Sequence, residues 1–320
     1  MRRIRFAVAG SGWRAMFYVR AAQNLPERFE LAGVLCRTRE KAEAFAGQHG
    51  VPAFDSLDAL LAARPEFVVS CVSKASMAEM VMELLRRGMP VLSETPLAID
   101  EETLERVEQT QRSTGTPLEM AEQYFLYPGH AARIAVIGTG ALGRVHSVWL
   151  SMMHDYHGIS MLRAFLGEEI RTLAQLDYGD GRMGLYDFSG TQYHSAIRSG
   201  HVRILGTRGE IFDDDVRWVD AQGRPQQERL QVERDRMSGT VRAVSFLGER
   251  LYENPFRADV TMSEDEIAVC SVLERMGETL RTGQPFYPLA HAFRDAYIAC
   301  LMAGAADEDG RIHTVAMDWD

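Results

Sequence analysis

Ile4-Arg5-Phe6-Ala7-Val8-Ala9-Gly10-Ser11-Gly12-Trp13-Arg14-Ala15 decides the fold. Ile4 to Ala9 is a short apolar run that stops at a glycine, which suits a buried strand. Trp13 to Asn24 then reads as a helix closed by Pro26. Between them lies G-x-G-x-x-A, a motif that is informative where a strand precedes it and a helix follows. Gly10 allows the tight turn, Gly12 lets the backbone approach a pyrophosphate, and Ala15 lets the helix pack close on the strand. The helix start adds N–H groups and partial positive charge for an anion. Gly10, Ser11, Gly12, Trp13, Arg14 and Ala15 are therefore the candidate dinucleotide cradle. The plain alternative is a tight βα turn without a ligand.

Outward from this motif, strands and helices alternate. Strands are predicted at Phe29–Leu35, Val51–Phe54, Phe67–Val72, Pro90–Ser93 and Pro117–Ala121. Helices are predicted over 38–48, 56–63, 76–87 and 100–113. That rhythm gives a doubly wound parallel sheet with helices on both faces, whose ligands bind at the carboxyl ends of the strands. The second strand ends in Cys36-Arg37-Thr38-Arg39, with no acid before Glu40. An acid there would hold the ribose hydroxyls of NAD, whereas arginine and threonine suit a 2′-phosphate. Arg37 and Thr38 thus predict NADP in preference to NAD, unless the arginines are merely solvated.

Composition bounds the rest. At 320 residues, 46% of them hydrophobic and 25% charged, the chain has room for about two globular domains. A net charge of −10 argues against nucleic acid or an anionic membrane as partner. No apolar run approaches the ~18 residues of a membrane span. Cys36, Cys71, Cys270 and Cys300 are scattered, as in a reducing compartment. The basic start (Arg2, Arg3, Arg5) is followed by too short an apolar stretch for a signal peptide. The expectation is a cytoplasmic protein with a small-molecule substrate.

The second half is less legible. Ala131–Ile137 and His157–Leu166 read as helices. Arg144–Ser151, Thr172–Leu176, Gly184–Phe188, Gln192–Ser199 and His201–Leu205 read as strands of an open, mainly antiparallel sheet. Residues 220–240 are polar and read as a solvated hairpin or loop. Helices follow at Asp265–Thr282 and Leu289–Ala303. The expected domains are 1–121, the dinucleotide-binding domain, and 122–320, an α/β domain for substrate and oligomerisation whose last helix packs back on the first. His154-Asp155-Tyr156-His157 is the densest cluster of proton-handling groups in the chain. His154 and His157 are spaced to share a helix face, but no third ligand accompanies them, so no metal site is expected. A helix-capping cluster with a core histidine is the alternative. Glu122-Gln123-Tyr124, at the exit from the last parallel strand, suits either a pocket wall or a hinge.

The whole pattern resembles the Gfo/Idh/MocA oxidoreductase family. The resemblance is carried by the glycine loop, by Ser93-Glu94-Thr95-Pro96 in the place of a Glu-Lys-Pro motif and by Ile134–Gly143. His157–Arg163 matches the helix of the catalytic histidine, Arg203–Glu210 a strand–turn "GTxG" element, and Asp295–Ala303 the last helix. It implies a Rossmann domain plus a second α/β domain with an open sheet. It also implies a homo-oligomer (dimer or tetramer) built on the outer face of that sheet, and hydride chemistry on sugar- or cyclitol-like compounds with NAD or NADP. His157 falls on the family's acid/base position, with Tyr156 and His154 as secondary candidates. Ser73, Glu94 and Thr95 fall in the cofactor pocket.

Two departures stand out. The family lysine is Thr95, which cannot act as a base near neutral pH. The family's aspartates four residues before and three after the histidine are Met153 and Ser160. Lys74, following the Phe67–Val72 strand beside Pro90–Ser93, is a candidate replacement cation, or else a cofactor contact or a solvated lysine. The expected function is an NAD(P)-dependent oxidoreductase acting on a small polar carbonyl or hydroxyl compound. The alternatives are a non-catalytic dinucleotide-binding sensor or regulatory protein, and a lyase or hydrolase that uses the cofactor transiently.

Overall fold

A computed structural model describes residues 2–153, 155–167, 175–177, 182–186 and 200–307. The chain divides into two compact units, Met1–Gln123 with Ala268–Cys300, and Tyr124–Ile267 with the chain from Leu301 on.

In the first unit β1 (Ile4–Ala9), α1 (Ala15–Asn24), β2 (Phe29–Leu35), α2 (Arg39–His49), β3 (Ala53–Phe54), α3 (Leu57–Ala62), β4 (Phe67–Ser70), α4 (Lys74–Arg86), β5 (Val91–Ser93), α5 (Glu101–Thr114) and β6 (Leu118–Met120) follow one another. The sheet is parallel, in the order β3-β2-β1-β4-β5-β6. Strand order therefore reverses at β1, and the crevice of a doubly wound sheet opens at the carboxyl ends of β1 and β4. Phe6–Ala9 and Phe67–Val69 are wholly buried, because helices cover both faces. Phe6 and Phe67 stack with ring centroids 6.0 Å apart.

Local chemistry sets the helix ends. Thr38, Ser56 and Asp100 cap α2, α3 and α5 by accepting the backbone N–H of Lys41, Ala59 and Thr103. Each such cap contributes about 1 kcal/mol. Gly50 and Gly115 end α2 and α5 in the left-handed conformation that glycine adopts without strain.

The second unit starts with a 3₁₀ turn at Tyr124–Leu126. It continues through α6 (Pro128–Gly138), β7 (Val145–Leu150), α7 (Asp155–Leu166), β8 (Gln175–Asp177), β9 (Met183–Tyr186), β10 (Val202–Gly206), β11 (Gly209–Phe212), β12 (Asp215–Val219), β13 (Pro225–Arg229), β14 (Gln231–Arg234), β15 (Val241–Phe246) and β16 (Glu249–Glu253). A seven-stranded sheet runs β13-β12-β11-β10-β7-β9-β8, antiparallel except for the β7–β9 pair. A second sheet is β14-β15-β16. Two long helices, α8 (Glu264–Thr282) and α9 (Leu289–Asp307), close the described chain, and both units share them.

The polar stretch 220–240 is a solvated hairpin region and not a loop, with β13 antiparallel to β12 and β14 antiparallel to β15. It supplies an edge strand to each of two sheets, yet all four residues of β14 are exposed. The strand expected at Gln192–Ser199 lies outside the described residues. Gly158 lets α7 lie against the ring of Tyr186, where a Cβ would collide. Arg133 of α6 donates through Nε to the Asp213 carbonyl at 2.7 Å and through Nη2 to Asp214 Oδ1 at 2.8 Å, fixing α6 to the β11–β12 turn. Among the described residues, no helix is long and apolar enough to cross a membrane.

Candidate nucleotide-binding and proton-transfer sites

Gly10 ends β1 with φ +111°, a conformation that strains any residue bearing a Cβ. A Cβ there would also lie 2.5 Å from the Cys71 carbonyl oxygen at the end of β4. The glycine is therefore required by the crossing of two backbones. At Gly12 the reverse holds, since a Cβ would meet nothing within 4 Å. Tight turns close behind it, with Ala15 N–H on the Gly12 carbonyl at 3.1 Å and Met16 N–H on that of Trp13 at 3.2 Å. Among the described residues, no backbone carbonyl accepts from the N–H groups of Ser11, Gly12 or Trp13. Open space, undirected amides and a helix start are what a diphosphate requires, so the residues fit a dinucleotide. The Trp13 side chain is exposed and packs edge-on against Phe17.

The end of β2 is partly occupied by its own contacts. The Thr38 hydroxyl accepts from Lys41 N–H at 3.4 Å, and the Glu40 backbone N–H, aided by the Thr38 hydroxyl, holds the Glu40 carboxyl below its usual range. Arg39 pairs with Glu43 one helical turn on. Arg37 is exposed, and among the described residues no acid pairs with it.

β4 and β5 are neighbours, with Ser70 opposite Ser93, so Ser73-Lys74 and Glu94-Thr95 leave the sheet at one edge. Ser73 is the N-cap residue of α4, its hydroxyl 3.1 Å from that of Ser76. Lys74 opens α4 with its side chain exposed. Thr95 is half-buried and joined to Pro96 by a cis peptide bond.

Glu94 is buried and held from the glycine-loop side. Its Oε1 accepts from Arg14 Nε at 2.7 Å and from the Tyr18 hydroxyl at 2.5 Å. Gln123, with its amide oxygen turned toward Arg14, accepts from Nη2 at 2.9 Å and donates to the Ala121 carbonyl at 2.5 Å. Burial first, then the Glu94 charge, push the Tyr18 phenol and the Cys71 thiol well above their ordinary pKa values. Both therefore remain protonated at neutral pH. The sequence did not single out Tyr18. Its signal is the i,i+4 spacing from Arg14, which puts both side chains on one face of α1.

In the second unit α7 begins at Asp155 and buries Tyr156 and His157. The His157 ring lies 4.4 Å from that of Tyr124, and Tyr124 stacks on Tyr127 at 4.9 Å and 8°. Tyr156 meets His157 edge-on at 5.9 Å. His130 supports the tyrosine pair at 6.4 and 6.0 Å. Burial, aided by the Arg133 charge, lowers its pKa to about 3, so the ring is neutral and presents Nδ1 to Arg133 Nη1 at 3.1 Å. The sequence did not point to His130. Ser160 donates its hydroxyl to the His157 carbonyl at 3.1 Å, and Met153 is buried. His154 lies outside the described residues. Among the described residues, no three His, Cys, Asp or Glu side chains gather as a metal site would need.

Residues 4–121 match the profile of the oxidoreductase family with an NAD-binding Rossmann fold, GFO_IDH_MocA. In this domain the chain is similar to the Gfo/Idh/MocA oxidoreductases. Solved structures of the same fold extend the likeness over the whole length. A levoglucosan dehydrogenase in complex with NADH is 14% identical, with a TM-score of 0.77 over 99% of this chain and 100% of that one. An oxidoreductase from Agrobacterium radiobacter, bound to NAD+, L-tartaric acid and magnesium, is 16% identical, with a TM-score of 0.71 over 98% of each chain. Biliverdin reductase from Synechocystis sp. PCC 6803, bound to biliverdin and NADP+, is 15% identical, with a TM-score of 0.65 over 94% of this chain and 98% of that one. No curated protein matches significantly by sequence. Thr95 stands where the Glu-Lys-Pro motif of the family that the chain resembles has its lysine.

Proposed function

We propose that this protein is an oxidoreductase of the Gfo/Idh/MocA kind, NADP-preferring and acting on a small polar carbonyl or hydroxyl compound. The observation that carries the reading is the glycine loop, open at Gly12 and closed at Gly10, with Arg37 exposed at the end of β2 and lacking an acidic partner among the described residues. Ser11, Gly12 and Trp13 hold the diphosphate through backbone N–H groups, and Arg37 holds the 2′-phosphate. Bound nicotinamide supplies hydride transfer. His157 takes the substrate's hydroxyl proton in oxidation and returns it in reduction, its ring oriented by Tyr124. Thr95 contributes a hydroxyl but no charge.

Levoglucosan, L-tartaric acid and biliverdin, bound in neighbouring structures, support a small-molecule substrate without choosing one. The test is calorimetric titration with NADPH and NADH, followed by turnover on a panel of sugars, cyclitols and hydroxy acids. Nucleotide uptake with turnover supports the reading. Uptake without turnover on any of them supports the second reading, a dinucleotide sensor, which the missing charge at Thr95 favours.

We further propose that the protein is a homo-oligomer through one face of the seven-stranded sheet. The register puts Leu185, Trp149, Arg203 and Phe212 in one cross-strand row of that face. Met183, Ser147, Leu205, Glu210 and Arg217 form the next row. Trp149, Met183, Leu185 and Phe212 are exposed around the Arg203–Glu210–Arg217 ion pairs. A second copy of the same face would cover the apolar residues and match charge with charge. Light scattering is expected to show a dimer or tetramer that Trp149→Glu dissociates. A monomeric wild type contradicts it.

A further inference from the structure

Four side chains form a line along the carboxyl edge of the parallel sheet. Arg14 stands two residues after Gly12, at the N-cap of α1, with its side chain only 13% exposed. Its guanidinium reaches 2.7 Å from Glu94, which follows β5, and 2.9 Å from Gln123, which follows β6. Tyr18, one turn further along α1 and fully buried, donates to the same Glu94 oxygen. The Glu94 backbone N–H is bonded in turn to the Ser70 carbonyl at the end of β4 at 3.0 Å. The first turn of α1 is thereby tied across β4 to β5 and β6.

A buried carboxylate is tolerated only where a cation and hydrogen bonds compensate it. Among the described residues the side-chain donors on Glu94 are Arg14 and Tyr18, and of these Arg14 alone carries charge. Without Arg14, a largely desolvated negative charge would remain on the edge where a dinucleotide's diphosphate must settle. At low effective dielectric, such repulsion is felt over several ångströms.

We infer that Arg14 is a positioning residue: it neutralises Glu94 and locks the first turn of α1 to the β5 loop, so that a diphosphate meets amides and not a buried negative charge. The inference rests on the dinucleotide reading above. It assigns to the Arg14 side chain an internal electrostatic task, so Arg14 serves the nucleotide without touching it.

The test is a double-mutant cycle in nucleotide affinity, which needs no substrate. NADPH is titrated by calorimetry into wild type, Arg14→Met, Glu94→Gln and the double variant, with circular dichroism and thermal midpoint as checks on folding. Arg14→Met is expected to raise Kd at least about tenfold, and adding Glu94→Gln to recover most of that loss. Simple loss of packing would leave the double variant as weak as Arg14→Met, and that result overturns the inference, as does unchanged affinity in Arg14→Met. Should Arg14→Met not fold, Arg14→Gln, neutral and still a donor, is run through the same cycle with the same expectations. A folded wild type that takes up no pyridine nucleotide overturns instead the reading beneath, and the two failures are thus told apart.

Discussion

The Thr279 hydroxyl donates to Oε1 of Glu119 at 3.1 Å, joining α8 to β6 across 160 residues. The partner Oε2 is buried without a hydrogen bond of good geometry. Burial is the main cause that lifts the Glu119 carboxyl from 4.5 to about 7, against the opposing pull of Thr279 and of the Phe286 and Tyr287 backbone.

Stability should follow that shift. The unfolded chain releases this proton near 4.5, and the folded chain holds it until about 7. Between those values the folded state binds more protons, so stability falls as pH rises, and the loss is complete above about 7. At about 1.4 kcal/mol per unit, the upper bound is about 3 kcal/mol. Glu119→Gln should therefore flatten the decline in thermal midpoint between pH 5 and 8, and should unfold later than wild type at pH 8. Parallel wild-type and variant melting curves over that range would show that Glu119 is ionised throughout.

Gly10 and Gly12 should fail differently. Gly10→Ala places a methyl against the Cys71 carbonyl at φ +111°, so it should lower the melting temperature as well as nucleotide affinity. Gly12→Val meets no protein atom within reach of its Cβ, so it should keep most of the stability and lose the nucleotide. Differential scanning calorimetry with and without NADPH separates the two.

Arg37→Gln should weaken NADPH about tenfold or more while leaving NADH little changed. Equal weakening of both nucleotides would place Arg37 away from the 2′-phosphate.

His157→Asn should lower kcat by about 10²- to 10⁴-fold on any substrate that wild type turns over, with NADPH affinity retained. Full activity in that variant would move proton transfer to another group, with Lys74 and Tyr156 next to be substituted.

The parallel sheet was legible because its strands are buried on both faces and read as unbroken apolar runs ended by glycine, as Ile4–Gly10 does. The cap at Thr38 was legible from residue type, and the helix that Asp100 caps from its start at that residue. The second unit was harder. A single apolar residue, Val232, marks β14, whose residues Gln231–Arg234 are all exposed. The β11–β12 hairpin turns through Asp213 at φ +51°, where glycine would have announced the turn. At the site, Gly10, Gly12 and the Lys74/Thr95 edge could be placed from sequence. The Glu94 network could not, because its partners lie 80 and 76 residues away and only the folded sheet order brings them together.

The most direct measurement is a calorimetric titration of the purified protein with NADPH and NADH at matched ionic strength. Uptake of NADPH near one per chain, at least about tenfold tighter than NADH, is the predicted result. Uptake of neither nucleotide by a folded protein would contradict the account at its base, and NADH bound as tightly as NADPH would contradict the role given to Arg37.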